Sequence, residues 1–181
     1  MFAEGEASLP WLLNGVSLTI IHMTAAWVAI RLPDRWFANE SWLTAPRSLE
    51  YGGQLYERLL QIRRWKDRLP DGGAWFKGGF AKAVLTSREP EYMERFVRET
   101  RRGEWTHWGM LLALPLFGLW NSWGGMVIVA VWLVAANLPC ILVQRYNRVR
   151  LLRVVGLRQQ LCYTEDIAAR QPWTEVAKDE R

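Results

Sequence analysis

His107 is the residue of this sequence best placed to do chemistry, because it stands where a charged segment meets a long apolar run. From Trp108 to Val143 the chain has 36 residues without Asp, Glu, Lys or Arg. Charged residues are dense on both sides of this run, in segments 99–106 and 145–150. Histidine takes up and releases a proton near neutral pH. The pattern therefore predicts a membrane hairpin with chemistry at its cytoplasmic rim.

The apolar segments predict three membrane crossings. A helix needs about 20 residues to span the hydrocarbon core, so the 36-residue run is too long for one crossing, and the polar and Gly residues of 121–125 supply a break. We expect two short helices, at about 107–121 and 124–143. Residues 9–30 also lack Asp, Glu, Lys and Arg and predict a first crossing. The expected fold is an all-α membrane protein, with residues 1–181 forming a single integral membrane domain.

The distribution of basic residues predicts the orientation. None of the 23 Lys and Arg lies before Arg31, fifteen lie in 31–106 and eight lie after residue 144. Basic residues are enriched in cytoplasmic loops. The N-terminus and the hairpin turn are therefore expected outside. The 31–106 segment and the 144–181 tail are expected in the cytoplasm.

Composition favours the lipid bilayer as partner and argues against nucleic acid. The net charge of +5 is the balance of 23 basic and 18 acidic residues, which suits an anionic lipid surface, and no nucleic-acid recognition motif occurs. Many of the twelve Trp lie near the ends of apolar blocks, where an amphipathic ring prefers the interface. Cys140 and Cys162 have no metal-ligand spacing, so we expect two reduced thiols and no metal.

The segment between the first crossing and the hairpin predicts interfacial helices. Residues 51–69 place apolar side chains at helical spacing among basic ones, which is typical of an amphipathic helix lying on a membrane. A second basic helix is expected to begin near Pro90, since proline is favoured in a first turn, and to run toward His107. Between them, Gly72 to Gly79 predicts a loop that meets the bilayer or a ligand.

Four ordered blocks of the sequence match a known family. They are Arg31-Leu-Pro-Asp34-Arg-Trp-Phe37; Arg64-Trp-Lys66 with Pro70-Asp71-Gly72; Glu99-Thr-Arg-Arg102 with Glu104 and His107-Trp108; and Ala136-Asn137 and Pro139 with Val143-Gln-Arg-Tyr-Asn-Arg148. In these blocks, which cover about residues 27–153, the chain resembles the glycosyl-4,4'-diaponeurosporenoate acyltransferases. These are bacterial membrane enzymes that esterify the sugar of a glycosyl carotenoid ester with a fatty acyl chain.

The resemblance implies acyl transfer from a thioester to a sugar hydroxyl in a bacterial cell membrane. The implied partners are an acyl-CoA or acyl carrier protein donor and a glycosyl carotenoid acceptor, and no cofactor is implied. A sugar hydroxyl is a poor nucleophile at neutral pH. The site therefore needs a general base, a group that orients this base, and hydrogen-bond donors for the oxyanion.

The matched blocks assign expected roles. His107 is the expected general base. Glu104, at the i,i+3 position before it, or Asp71 is expected to orient its ring. Guanidinium groups suit phosphate oxygens, so the block at 144–148 is expected either to bind the donor phosphates or to anchor the chain at the membrane. The residues with this double interpretation are Gln144, Arg145, Asn147, Arg148, Arg64 and Lys66.

Other interpretations stay open at this point. His107 could be an interfacial residue that bonds lipid. His22, in the first crossing, is expected to be a neutral histidine bonded within the bundle, and Asn137 is expected to fix helix packing through the carbonyl that Pro139 leaves free. The protein as a whole could be a non-catalytic membrane subunit that binds carotenoid or lipid, or an acyltransferase that acts on another glycolipid.

Overall fold

The fold is described from a computed structural model covering residues 3–82 and 84–170. Within these residues every regular element is a helix, which confirms the predicted all-α class. The α-helices are α1 Ala3–Arg31, α2 Arg35–Ala38, α3 Gln54–Leu59, α4 Pro90–Leu112 and α5 Trp123–Arg170. Short 3-10 helices connect them, at Ser48–Gly53, Ile62–Arg64, Lys66–Arg68, Gly72–Ala74 and Leu114–Leu119.

Among the described residues, two helices are long and apolar enough to cross a membrane. These candidate spans are Leu9–Arg31 in α1 and Trp123–Gly156 in α5. Both expose large apolar side chains along their outer faces, including Ile20 on α1 and Val131 on α5. Water is a poor solvent for such surfaces, whereas lipid tails cover them at no cost.

The first arm of the predicted hairpin differs from expectation. The helix that begins at Pro90, as predicted, continues without interruption through His107 to Leu112. The chain then follows a 3-10 helix, Leu114–Leu119. Pro115 explains the change, because proline has no N–H to donate and disfavours α-conformation in the residue before it. The helix predicted at 107–121 is therefore the end of α4 followed by a 3-10 segment, not an element of its own.

The second arm is longer than predicted. α5 begins at Trp123, one residue before the predicted start, but it runs on past residue 143 to Arg170. Arginine and leucine are good helix formers, and no proline occurs between Pro139 and Arg170. The segment interpreted as a tail thus begins as a helical extension, and residues 171–181 lie outside the described residues.

Residues 51–69 do not form the single amphipathic helix that the sequence predicted. Tyr51 and Gln61 have φ angles of 44° and 46°, in the left-handed region that interrupts a helix. The segment instead breaks into short turns that fold against α5. Ile62, expected on a membrane-facing stripe, is fully buried and packs with Tyr56 and Tyr146.

α4 lies between the two apolar helices and packs against both. Arg102 attaches it to the end of α1. Its Nη1 donates to the carbonyl oxygens of Ala29 at 2.6 Å and Leu32 at 3.0 Å, and its Nη2 bonds Asp34 at 2.5 Å. The last carbonyls of a helix have no partner within that helix and attract a cation. Arg102 therefore closes α1 and fixes its position on α4.

A second polar tie holds the opposite end of α1. Asn14 is buried, and its Oδ1 accepts from Trp120 Nε1 at 2.8 Å and from Asn121 Nδ2 at 2.7 Å. Its own Nδ2 donates to Asn121 Oδ1 at 2.9 Å. The hairpin turn and the N-terminal part of α1 consequently lie at one end of the molecule, and Arg31 and Arg102 lie at the other.

Candidate active site

A cavity of about 1020 Å³ lies among α1, α4, α5 and the 66–84 segment. Its two parts differ in chemistry. The part near the hairpin turn is apolar and is lined by α1 and α5. The part near the 66–84 segment carries the charged and amide side chains of the lining, beside aromatic ones such as Trp75, Phe76 and Phe80; these polar residues are Lys66, Asp67, Asp71, Lys82, Glu99, Arg102, Gln144 and Asn147. A ligand that fills both parts must itself have an apolar and a polar end.

The apolar part opens sideways between α1 and α5. Met23 on α1 and Trp132 on α5 both line the cavity, yet they are 37% and 50% exposed. Both residues belong to the candidate spans. A long apolar chain in the surrounding lipid can therefore enter the cavity without passing through water.

His107 lines the cavity at the junction of its two parts, and Asn137 of α5 holds its ring. The distance from His107 Nδ1 to Asn137 Oδ1 is 2.9 Å. Asn137 is buried, and its Nδ2 donates to the Leu133 carbonyl at 2.9 Å. Since a carbonyl can only accept, the amide must present its oxygen to the histidine. His107 then carries its proton on Nδ1, and Nε2 keeps a lone pair that can accept another.

The structure does not bring Glu104 to His107, so the expectation that Glu104 orients the ring was wrong. Glu104 lies on the face of α4 that packs on α5, where its Oε1 accepts from Trp108 Nε1 at 3.3 Å and from Arg145. Asn137 takes the expected role of Glu104. Its amide bonds the Leu133 carbonyl, not the carbonyl of residue 135 that Pro139 leaves free.

Arg145 and Arg148 belong to an ion-pair network in which Arg148 is fully buried and Arg145 is half-buried, and neither lines the cavity. Arg148 Nη2 lies 2.5 Å from Glu104 Oε2, and Arg145 Nη1 lies 2.9 Å from Glu104 Oε1. Arg145 also pairs with Glu50 at 2.7 Å. Two guanidinium groups and two carboxylates balance in charge. The prediction that these arginines bind donor phosphates is corrected, because both pair with carboxylates and neither side chain lines the cavity.

The network extends to Tyr56 outside the candidate spans. Tyr56 donates its hydroxyl hydrogen to Glu50 Oε1 at 2.7 Å. Burial, together with this hydrogen bond to a carboxylate, raises the pKa of Tyr56 to about 12. The phenol therefore stays neutral and acts as a hydrogen-bond donor that holds the 48–59 segment against α5.

The other residues predicted as substrate ligands divide into two groups. Gln144, Asn147 and Lys66 line the polar part of the cavity, where Lys66 also pairs with Asp67 at 2.5 Å. Arg64 lies away from the cavity and bonds Gln61 at 2.6 Å. Arg64 is thus an exposed surface residue that does not line the cavity.

Asp71 lines the cavity and secures the turn that carries it. Its carboxylate accepts from the backbone N–H of Gly73 at 3.2 Å and from that of Lys82. Gly73 is required here, because a Cβ at this position would lie 2.2 Å from the Phe80 carbonyl oxygen. These contacts bring the 71–73 turn against residues 80–82.

Lys82 is a cavity residue that sequence reasoning missed. Its Nζ donates to the Phe80 carbonyl at 3.1 Å. Burial lowers the pKa of Lys82, and the nearby charges of Asp71 and Glu99 raise it by less. The signal in sequence was weak, because a lysine in a loop without periodicity is usually exposed.

The polar part of the cavity carries no net charge. Among the described residues its lining has three cationic and three anionic side chains, which are Lys66, Lys82, Arg102, Asp67, Asp71 and Glu99. The amides of Gln144 and Asn147 add donors and acceptors. A neutral set of mixed donors and acceptors suits a polyhydroxyl group better than a phosphate, which requires an excess of cations.

His22 of α1 reaches the same cavity. Its ring centroid lies 6.0 Å from that of His107, with the two planes 80° apart. The structure shows no hydrogen bond from His22 to any described residue, in contrast to the bonded bundle histidine that we predicted. The sequence did contain a signal for His22 as a site residue, because an ionisable residue within an apolar span is a functional candidate by default.

Fold and site together describe an all-α protein with two candidate membrane spans and an amphipathic cavity that His107 lines. A family model described as glycosyl-4,4'-diaponeurosporenoate acyltransferase matches residues 33–157. The chain belongs to this family, which confirms the resemblance found in the four sequence blocks, and it is an acyltransferase of carotenoid biosynthesis.

Proteins named glycosyl-4,4'-diaponeurosporenoate acyltransferase from Staphylococcus aureus are similar to the chain. Those of strains bovine RF122 / ET3-1 and N315 are each 28% identical over 140 residues, which cover 76% of this chain and 83% of the relative. No solved structure matches the chain.

The first prediction concerns the buried carboxylate. Glu104→Gln leaves the buried guanidinium group of Arg148 without its counter-charge, whereas Arg145 keeps Glu50. Breaking a buried ion pair costs about 3–5 kcal/mol. We expect a markedly lower midpoint of thermal unfolding in detergent. Glu40→Gln is the control, because Glu40 is 45% exposed and 3.7 Å from Arg101, and an exposed pair contributes about 0–1 kcal/mol. Equal midpoints for the two variants would contradict the network's role.

The second prediction concerns the histidine tautomer. Nitrogen-15 NMR of ring-labelled protein should show His107 protonated on Nδ1, with the His22 signals identified from their loss in His22→Gln. Asn137→Leu removes the acceptor of that proton, and we expect the ring to shift toward the Nε2-protonated form, which is the commoner one for a free imidazole. A His107 signal unchanged by Asn137→Leu would show that another group sets the tautomer.

Proposed function

We propose that this acyltransferase transfers a fatty acyl group from a thioester donor to a sugar hydroxyl of a glycosyl carotenoid ester. The names of the relatives support the acceptor. The donor, acyl-CoA or acyl-acyl carrier protein, is proposed because a thioester is activated for attack by a hydroxyl. The cavity supports the pairing, since it combines an apolar opening toward lipid with a neutral polar end.

The observation that carries the proposal is the state of His107. Its Nδ1 is held by Asn137, and its Nε2 has no hydrogen bond to any described residue. In the proposed reaction Nε2 takes the proton of the sugar hydroxyl while the hydroxyl oxygen attacks the thioester carbon. The carbon–sulfur bond then breaks, and the departing thiolate takes up the proton from His107. Asn137 keeps the ring in the tautomer that can begin this cycle.

The two parts of the cavity suggest how the substrates lie. The sugar occupies the neutral polar end, near Asp71 and Lys82, and the apolar chain leaves between α1 and α5 past Met23 and Trp132. Arg145 and Arg148 are bound to carboxylates, so they are not assigned to the donor. The donor's thioester end enters the cavity while its charged part stays outside.

The third prediction tests the base. His107→Ala should lower the turnover number by about 10²-fold or more, the range expected for a lost acid–base catalyst. The assay uses purified protein in vesicles with a glucosyl carotenoid and a labelled acyl donor. Trp105→Ala is the control, since Trp105 lies on α4, is 47% exposed and does not line the cavity. Unchanged turnover in His107→Ala would remove His107 from catalysis. No acyl transfer by the wild-type protein would favour a non-catalytic subunit, and transfer only to another glycolipid would replace the acceptor.

We further propose three crossings, with the N-terminus outside and the C-terminal segment in the cytoplasm. The basic residues support this orientation, because none precedes Arg31. The bonds of Asn14 to Asn121 also support it, since they place the hairpin turn at the N-terminal end of α1. In this proposal the second crossing along the chain is the end of α4 continued by the 3-10 segment, and α5 is the third.

The fourth prediction tests this topology. A membrane-impermeant thiol reagent added to intact cells should label Ser122→Cys, in the turn, and not Ser87→Cys, before α4. Both variants are made in a background in which Cys140 and Cys162 are replaced by alanine. Permeabilised cells provide the control for the accessibility of residue 87. Labelling of Ser87→Cys in intact cells would reverse the arrangement.

A further inference from the structure

The two histidines of this chain, the only ones in its sequence, meet in one cavity although they are far apart in sequence. His22 comes from α1 and His107 from α4, and each ring lines the cavity. Their centroids are 6.0 Å apart and their planes are nearly perpendicular. Two separate helices thus present imidazoles to the same space.

The geometry makes the two rings different in function. His107 has its Nδ1 proton bound to Asn137, which leaves a lone pair on Nε2. His22 has no hydrogen bond to His107 or to any other described residue, so its N–H has no acceptor within the described protein. One ring can accept a proton from a ligand, and the other can donate a hydrogen bond to it.

Packing does not explain a histidine at position 22. The residue lies within the candidate span Leu9–Arg31, where a polar group without a partner is costly. An aliphatic side chain would fill the same wall without that cost. A ligand atom that accepts a hydrogen bond in the cavity would supply the missing partner.

We propose that His22 donates its ring N–H to the carbonyl oxygen of the acyl donor and stabilises the oxyanion that forms there. This assignment rests on the proposed function. As the sugar oxygen bonds to the carbonyl carbon, the carbonyl electrons move to the oxygen that His22 holds. They return when the carbon–sulfur bond breaks. The transferred proton passes only through His107, and His22 stays neutral throughout.

A neutral donor suits this position better than a second base. The reaction moves one proton from the hydroxyl to the thiol, and His107 alone can carry it. Position 22 borders lipid, where a charged imidazolium is disfavoured and a neutral N–H is not. Donors directed at a developing oxyanion act most strongly in a water-poor cavity of this kind.

The test compares donor and non-donor side chains at position 22. His22→Phe keeps the ring volume without a donor, and His22→Ala removes both. We expect the turnover number to fall by about 10²–10³-fold in each, as for a lost oxyanion donor, with the KM values of both substrates changed little. His22→Gln retains an N–H at similar reach and should recover at least about 10-fold over His22→Phe. His107→Gln should give no such recovery, because glutamine cannot act as a base.

The controls separate this assignment from the proposed function. Thr24→Ala alters an exposed residue of α1 that does not line the cavity and should keep wild-type turnover. Wild-type turnover in His22→Phe, or His22→Gln as slow as His22→Phe, would overturn the role of His22 while the activity stands. A wild-type protein that transfers no acyl group from a thioester would overturn the proposed function and this assignment with it.

Discussion

The buried carboxylate of Glu104 is the constraint on which the rest of the structure depends. It sits between α4 and α5 with no exposed surface, so it must be neutralised, and Arg145 and Arg148 do this at 2.9 and 2.5 Å. Removing the carboxylate or its arginines would leave an unpaired charge in a low-dielectric interior, and an unpaired buried charge destabilises the fold more than a buried ion pair does. The rotation of α4 against α5 is therefore set. Arg145 also binds Glu50, which carries the constraint into the 48–59 segment.

With that rotation set, the opposite face of α4 must face the cavity. His107 lies on this face and meets Asn137 of α5, while Arg102 draws the end of α1 onto α4. α1 then brings His22 to the cavity wall. The ion pairs of Glu104 between α4 and α5 are thus structural, while His107 faces the cavity together with Glu99 and Arg102.

The division of charge also shapes how the enzyme can handle its substrates. The basic residues in excess lie outside the cavity lining. The polar end of the cavity, with equal numbers of cationic and anionic side chains, is therefore neutral overall. Such an environment can hydrogen-bond a sugar while the lateral opening near Trp132 admits an apolar chain. In the proposed reaction, catalysis relies on positioned neutral groups, with His107 as proton acceptor and His22 as hydrogen-bond donor.

Sequence alone determined the all-helical class, the apolar segments, the start of α4 at Pro90 and the family, because hydrophobic pattern, proline and residue identity act locally. It also singled out His107. Only the tertiary structure decided the partners: Asn137 rather than Glu104 orients His107, Arg148 binds a carboxylate instead of a phosphate, and His22 joins the site. Spacing along one helix shows which side chains share a face. Which side chain of another helix meets that face depends on packing and on the neutralisation of buried charge, and neither can be read from local sequence.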